Sequence, residues 1–600
     1  MFGDFRPGRY HAGFDLRTGG EEGWPVVAVG DGYIMRASTS YFGYGRALYL
    51  RLDDGRIAVY GHLQKFGPKV TKRVRAEQKR LRLYKTNQYF EKDEIRVRKG
   101  MIIARSGQTG AGAPHLHFEL RTGDNKPINP LLHGFSIKDR RDPEIAKLYL
   151  VPGYENGEMG AGPGGFVRTE IKLRGNSRAP LEVASGPIYV SGPVGFAIEA
   201  YDHKPGTSRR YNITGLLLIV GGDTVFQARF DTLKFSSMSQ VLLERLTTLD
   251  ADGDVYALYK RTGNRLAHSQ IHSEYPKGFV TLQRGDSAVP FKIVVTDERM
   301  NRRTILGTLK YRPQTMLTRW DIDPNLIIHP GYFDYWSDSS IATRQLQQAG
   351  LKQFGRALNL DPGGPTRFYA IDADSLFTMS LPLHDAFMQR TLITLLPGMA
   401  TSFALDDGSL ELEIPEGAVY ETCFLTVEQG YTPDSLPFWK IGPRGLLLKQ
   451  PIELSFDAPD DSSLGIWTWD TSGTKGFVEM RRTEGRIECS TGQPGTYSYG
   501  RDTTAPSLTR VSPREGARVR SGVMIRARIE DNGSGIASDS LLSVWLDGEW
   551  IPPEYDPEQH LLVAHPWKPL SRGEHTLEIH VQDWAGNITI RTRKFKVVRK

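Results

Sequence analysis

Five side chains suited to acid–base or metal chemistry fall within the first 120 residues. They are His11 and Asp15 in GRYHAGFD, His62 in VYGHL, and His115 and His117 in SGQTGAGAPHLHFEL. Read as a strand, HLHFEL projects His115 and His117 from one face and turns Leu116 and Phe118 to the other. Two imidazoles on one face can approach a single metal, or one can bind it while its neighbour moves protons. His11 and Asp15 would share a face if helical, but Gly13 and the preceding Arg6-Pro7-Gly8 favour a loop-to-strand passage. The fold must therefore bring these two together. Two histidines, one carboxylate and an open position form the usual arrangement of catalytic zinc, which lowers the pKa of water to about 7 and polarises a carbonyl. An HxH pair alone is weak evidence, and histidines such as His268, His329 and His575 read as surface or satisfied core residues. The ordered set carries the reading.

That set, together with WPVVAVGDGYIMRA from Trp24 to Ala37 and SGQTG before PHLHFEL, resembles the catalytic domain of the lysostaphin-type and LytM-type zinc metallopeptidases over residues 1–135. The resemblance implies that His11, Asp15 and His117 bind Zn2+. It implies that His115 is the general base toward the attacking water, and that His62 helps hold or stabilise the oxyanion of the tetrahedral intermediate. It further implies hydrolysis of peptide bonds in peptidoglycan stem peptides or cross-links, and hence a cell-envelope location, periplasmic or extracellular. All five positions carry the expected residue types, which favours a zinc endopeptidase. The alternatives are a noncatalytic wall-binding or regulatory protein that activates a partner hydrolase, and an adhesin or scaffold whose function lies downstream.

The elements that must position these residues are strands. Of the 600 residues, 39% are hydrophobic and 24% charged, which excludes disordered and collagen-like chains. Strand-like runs separated by Gly, Pro, Asn and Asp recur throughout; the helical candidates are Lys72 to Tyr84 and a weaker one near Ser339 to Leu351. The chain reads as mainly β: an antiparallel-β metallopeptidase domain at 1–138, then about three β-sandwich modules at 139–315, 316–501 and 502–600. The first and last modules repeat one plan, SGPVGFAIEAYD near Ser191 and SGVMIRARIED near Ser521, closing with VVTDERMN and VQDWAGN. This pattern resembles immunoglobulin-like and fibronectin-like domains. In both closings, Asp297 with Asn301 and Asp583 with Asn587, a turn satisfying its own backbone is favoured over a calcium ligand.

The formal charge of +7 is concentrated in one segment. Lys65 to Lys99 holds 13 basic and four acidic residues, a net of +9, so the rest of the chain totals −2. There is no recognition-helix pattern, and a nucleic-acid partner is not expected. Most of this segment is an insertion of about 25 residues relative to the resembled family. It reads either as a lid or side wall beside the groove, attracting stem-peptide carboxylates or anionic envelope polymers, or as a solvated helix. Peptidoglycan peptides are the expected partner, with wall glycan or an envelope protein open to the sandwiches, where Tyr332, Tyr335 and Trp336 offer aromatic faces. No apolar run is long enough to span a membrane, and Met1 to Tyr10 carry charges where a signal peptide has an apolar core. The envelope assignment therefore follows from function. Cys423 and Cys489 read as small buried hydrophobes in preference to a disulfide.

Overall fold

A computed structural model describes residues 1–313 and 389–598, apart from loop stretches of one to six residues, and between them the strands at 326–329, 332–335, 358–361, 364–366 and 378–382. The second helical candidate and Trp336 lie outside the described residues, as do the side chains of Tyr332 and Tyr335. The protein is nearly all antiparallel β. Among the described residues no helix is long and apolar enough to cross a membrane.

The N-terminal region is built on an eight-stranded sheet in which His115–Arg121 is the strand next to one edge. This strand pairs with Ile57–Gly61 along one edge and with Phe14–Arg17 along the other. One face buries Leu48, Leu50, Ala58, Tyr60, Phe118 and Leu120 in a single core, with Leu116 packed against it. The strand alternation read from HLHFEL is therefore observed. Gly13 is needed for the approach of Phe14–Arg17, since a Cβ there would stand 2.1 Å from the carbonyl oxygen of Phe118.

The basic segment contains the helix Pro68–Leu81, four residues earlier than the periodicity predicts. Proline at the first helical turn explains the start, because its fixed φ suits that position and its missing N–H has no partner to lose there. Arg82, in left-handed conformation, ends the helix before Tyr84. Val70, Val74 and Gln78, each four apart, form its buried stripe.

Beyond residue 140 come paired sheets. A six-stranded and an eight-stranded sheet between Glu144 and Tyr311 enclose one core. Seven-stranded and five-stranded sheets share the core between Thr378 and Arg501, and four-stranded and five-stranded sheets share the last, between Ser507 and Val597. Cys423 and Cys489 are buried in the middle core, as expected of small hydrophobes, and burial pushes the Cys489 thiol up to about 12. Both repeat closings are self-satisfied turns. The Asn301 amide donates to Asp297 at 2.7 Å and that of Asn587 to Asp583 at 2.9 Å, while each asparagine backbone N–H donates to the same aspartate at 2.8 Å.

The N-terminal region meets its neighbours at two places. Phe2, Tyr10 and Ala12 are members of the core formed by the sheets of residues 144–311. Tyr41 and Tyr84 belong to the core of the last sheets. Above them the basic helix faces tryptophans: Arg75 and Lys79 lie 4.9 and 5.5 Å from the Trp567 ring, and Arg82 lies 5.6 Å from Trp545. Part of the charge of the insertion is thus taken up within the molecule, while much of the helix surface remains exposed.

Candidate metal centre

Register places the candidate residues. On the strand His115–Arg121, His117 stands opposite Asp15 on one side and Gly61, the neighbour of His62, on the other. His11 arrives from the turn after the short strand Arg9–Tyr10, anchored by Tyr10 and Ala12 in the neighbouring core. Three donor atoms converge: His11 Nε2 lies 3.0 Å from His117 Nδ1 and 3.2 Å from Asp15 Oδ1, and the last two are 3.0 Å apart. A tetrahedral zinc site with bonds near 2.0–2.1 Å separates its donors by about 3.3 Å. The triangle fits that ion after shifts of a few tenths of an ångström.

The remaining nitrogen of each ligand ring is engaged. His11 Nδ1 donates to the Met1 carbonyl at 2.8 Å, and His117 Nε2 to Glu119 Oε1 at 2.9 Å. These bonds leave His11 Nε2 and His117 Nδ1 as the inward-facing donors, the usual service of groups behind a metal ligand. Glu119 is fully buried and is held in turn by the Tyr44 hydroxyl at 2.5 Å and by Arg121 Nε at 2.6 Å. Burial opposes its charge, but His117 and Arg121 keep its pKa down at about 2. Burial likewise opposes charge on Asp15, yet His11 and His117 hold it well below the usual carboxylate range. His117, despite burial, is raised to about 9 by Asp15 and Glu119, while burial lowers His11.

His115 lies beside this triangle. Its Nδ1 donates to the Ala113 carbonyl at 2.7 Å, and its Nε2 is 3.7 Å from Asp15 Oδ1. The centre opens on that side, where the Asp15 and His115 side chains are 27% and 20% exposed, against 6% for His117. The His62 ring centre is 4.6 Å from that of His115. His62 sits at φ 57°, a left-handed conformation uncommon without glycine, with its N–H on the Tyr44 carbonyl and its Nδ1–H on the Thr109 carbonyl at 2.9 Å. A carbonyl only accepts, so the neutral ring presents an Nε2 lone pair. Burial, reinforced by His117 and His115, pushes its pKa down to about 3.

The structure thus brings all five sequence-predicted residues to one place. Glu119, Arg121 and Tyr44 were not singled out from sequence. The alternation that joins His115 to His117 continues to Glu119 and Arg121, so the signal for those two was present; Tyr44 had none.

The triangle could hold a metal ion, and comparison with known proteins names the class of the domain that carries it. The N-terminal region is a Peptidase family M23 domain of the LytM/lysostaphin type, the family pattern matching residues 9–88. The chain is 29% identical over 112 residues to the murein hydrolase activator NlpD of Escherichia coli (strain K12), covering 19% of this chain and 23% of that protein. It is 36% identical over 102 residues to the glycyl-glycine endopeptidase ALE-1 of Staphylococcus capitis, covering 17% and 22%. The matched stretch therefore spans less than a quarter of either relative. The catalytic domain of lysostaphin from Staphylococcus simulans is 28% identical, covering 20% of this chain and 74% of that one, with a TM-score of 0.15.

Proposed function

We propose that this protein is a zinc-dependent endopeptidase of the cell envelope that hydrolyses peptide bonds in peptidoglycan stem peptides or cross-links. The observation that carries the reading is the convergence of His11 Nε2, Asp15 Oδ1 and His117 Nδ1, with His115 beside them on the open side. Zinc held there supplies Lewis acidity toward the scissile carbonyl and toward water. The bond from His115 Nδ1 to Ala113 leaves Nε2 unprotonated, poised to take the proton of the attacking water and return it to the leaving amine. His62, kept neutral with its Nε2 inward, orients that water as a second acceptor. Glu119 holds His117 in the binding tautomer.

The test is zinc content and release of soluble peptides from purified peptidoglycan, resolved by mass, for the full chain and two variants. The wild type is expected to hold about one zinc, cut, and lose activity on chelation. His117→Ala loses the metal, whereas His115→Ala keeps it and loses activity by about 10²-fold or more. A full chain that binds zinc yet releases no peptide overturns the endopeptidase. The activator role carried in the name of the NlpD relatives would then be the reading to pursue.

A further inference from the structure

The two histidines outside the metal triangle owe their tautomers to one loop. The Thr109 carbonyl accepts the Nδ1–H of His62 at 2.9 Å, and the Ala113 carbonyl accepts that of His115 at 2.7 Å. Each ring keeps its lone pair on Nε2 only while the loop from Gly107 to Pro114 holds these carbonyls in place.

The Thr109 end of the loop is fastened within the M23 region. The Arg46 backbone N–H donates to Thr109 Oγ1 at 2.9 Å, and that hydroxyl donates to the Leu63 carbonyl at 2.9 Å. Gly45 permits the close approach, since a Cβ there would stand 1.9 Å from the Thr109 carbonyl oxygen. The other end is fastened from the last sheets. Among the described residues, the donor to the Gly112 carbonyl is the side-chain amide of Gln559, at 2.9 Å and 447 residues away in sequence. A carbonyl only accepts, which fixes the way this amide faces, and its own oxygen accepts from the Gln108 side-chain amide at 3.1 Å. One glutamine side chain, engaged at both ends, thus bridges Gln108 and Gly112, the immediate neighbours of the two carbonyls that set His62 and His115.

The support behind Gln559 is firm. It stands in the turn between the paired strands Pro553–Asp556 and Leu561–Ala564, where Asp556 Oδ1 accepts the N–H groups of Glu558 and Gln559, each at 3.0 Å. The first of these strands is tied to the M23 region by the Arg46–Glu554 pair and by the Tyr41 hydroxyl on the Pro553 carbonyl at 3.0 Å. We propose that Gln559 is a positioning residue of the centre, holding the loop in the arrangement that keeps Ala113 on His115 and so keeps His115 Nε2 free to take a proton. The assignment rests on the endopeptidase reading and deepens it, because it makes the last sheets a working part of the site. His62 should depend on Gln559 less, since Thr109 has its own fastenings.

Gln559→Met, which keeps the length of the side chain and removes both bonds, tests the assignment in the zinc-loaded full chain. The reaction is followed on soluble cross-linked peptidoglycan fragments, and the loop is followed by hydrogen–deuterium exchange at the His115 backbone N–H, which donates to the Gly107 carbonyl at 3.1 Å. kcat should fall about tenfold or more at unchanged KM, zinc content and melting temperature, and exchange at His115 should quicken. Gln559→Lys, which restores a donor toward Gly112, should recover part of both; Gln559→Glu, which keeps only the acceptor for Gln108, should recover neither. Unchanged exchange at His115, or a loss confined to KM, overturns the positioning role. Quickened exchange in a full chain that cuts no peptidoglycan retains the hold of Gln559 on the loop and removes the endopeptidase. Cleavage that Gln559→Met leaves at full rate does the reverse.

Discussion

The M23 region contacts the rest of the chain through two surfaces of opposite character. Against the sheets of residues 144–311 it contributes core: Phe2, Tyr10 and Ala12 are buried among residues such as Phe230, Val241 and Tyr256. Several polar groups there are paired across the surface. Tyr10 donates to Glu244 at 2.7 Å, Glu244 is paired with Arg245 and His268, and the Asn212 backbone N–H donates to Asp4 at 2.7 Å. Against the last sheets it contributes cations over tryptophans, the Arg46–Glu554 pair, and a tyrosine pair, Tyr41 on Tyr84, whose Tyr41 hydroxyl donates to the Pro553 carbonyl at 3.0 Å. A cavity remains between them. The first surface is inseparable from folding, while the second is a contact with room left in it. The comparison shows how one region can be held by a continuous core at one surface and by a looser, polar contact at another.

The largest effect should come from the first surface. Tyr10→Ala removes a ring 1% exposed and one of the three side-chain donors to Glu244, leaving Arg245 and His268, which is expected to cost about 3–5 kcal/mol. Because His11 is the next residue, zinc content should fall with the melting temperature. Tyr10→Phe keeps the ring, so it should cost roughly 1–3 kcal/mol and retain the metal, as melting curves and metal analysis will show.

Glu554→Ala tests the second surface at its part-buried ion pair. Side-chain exposures of 14% for Arg46 and 22% for Glu554 place the pair between buried and surface cases, so a loss of about 1–3 kcal/mol is expected. Zinc content should stay unchanged while limited proteolysis at residues 502–506 accelerates; loss of zinc in this variant would erase the contrast between the surfaces. Trp567→Ala removes two cation–π contacts and a ring packed 6.2 Å from Trp550, for about 1–2 kcal/mol read by the same proteolysis. Lys79→Ala should leave the melting temperature unmoved, because its pair with Glu549 is more than half exposed on both sides.

Local periodicity made the centre legible where contacts are local. The face shared by His115 and His117 follows from strand alternation, and the two Asp–Asn turns follow from side chains that reach their own backbone. The helix in the basic segment was visible, but its start was not, because Pro68 acts through backbone geometry and not through hydrophobic spacing. What pins His11 was hidden, since its neighbour Tyr10 bonds Glu244, 234 residues away. The partners of the basic helix were hidden for the same reason: Trp545 and Trp567 lie more than 460 residues beyond it, and an excess of charge in a sequence carries no sign of the aromatic face that will absorb it.

The burial of Phe2, Tyr10 and Ala12 bears on the order in which a growing chain matures. Their core is completed by Ile305 and Leu309 of the strand Arg302–Tyr311. A nascent chain that has reached only Arg121 already contains all five residues of the centre, yet lacks the surroundings that hold His11 against Asp15 and His117. The surroundings that position His11 are therefore complete only once residue 311 has been made.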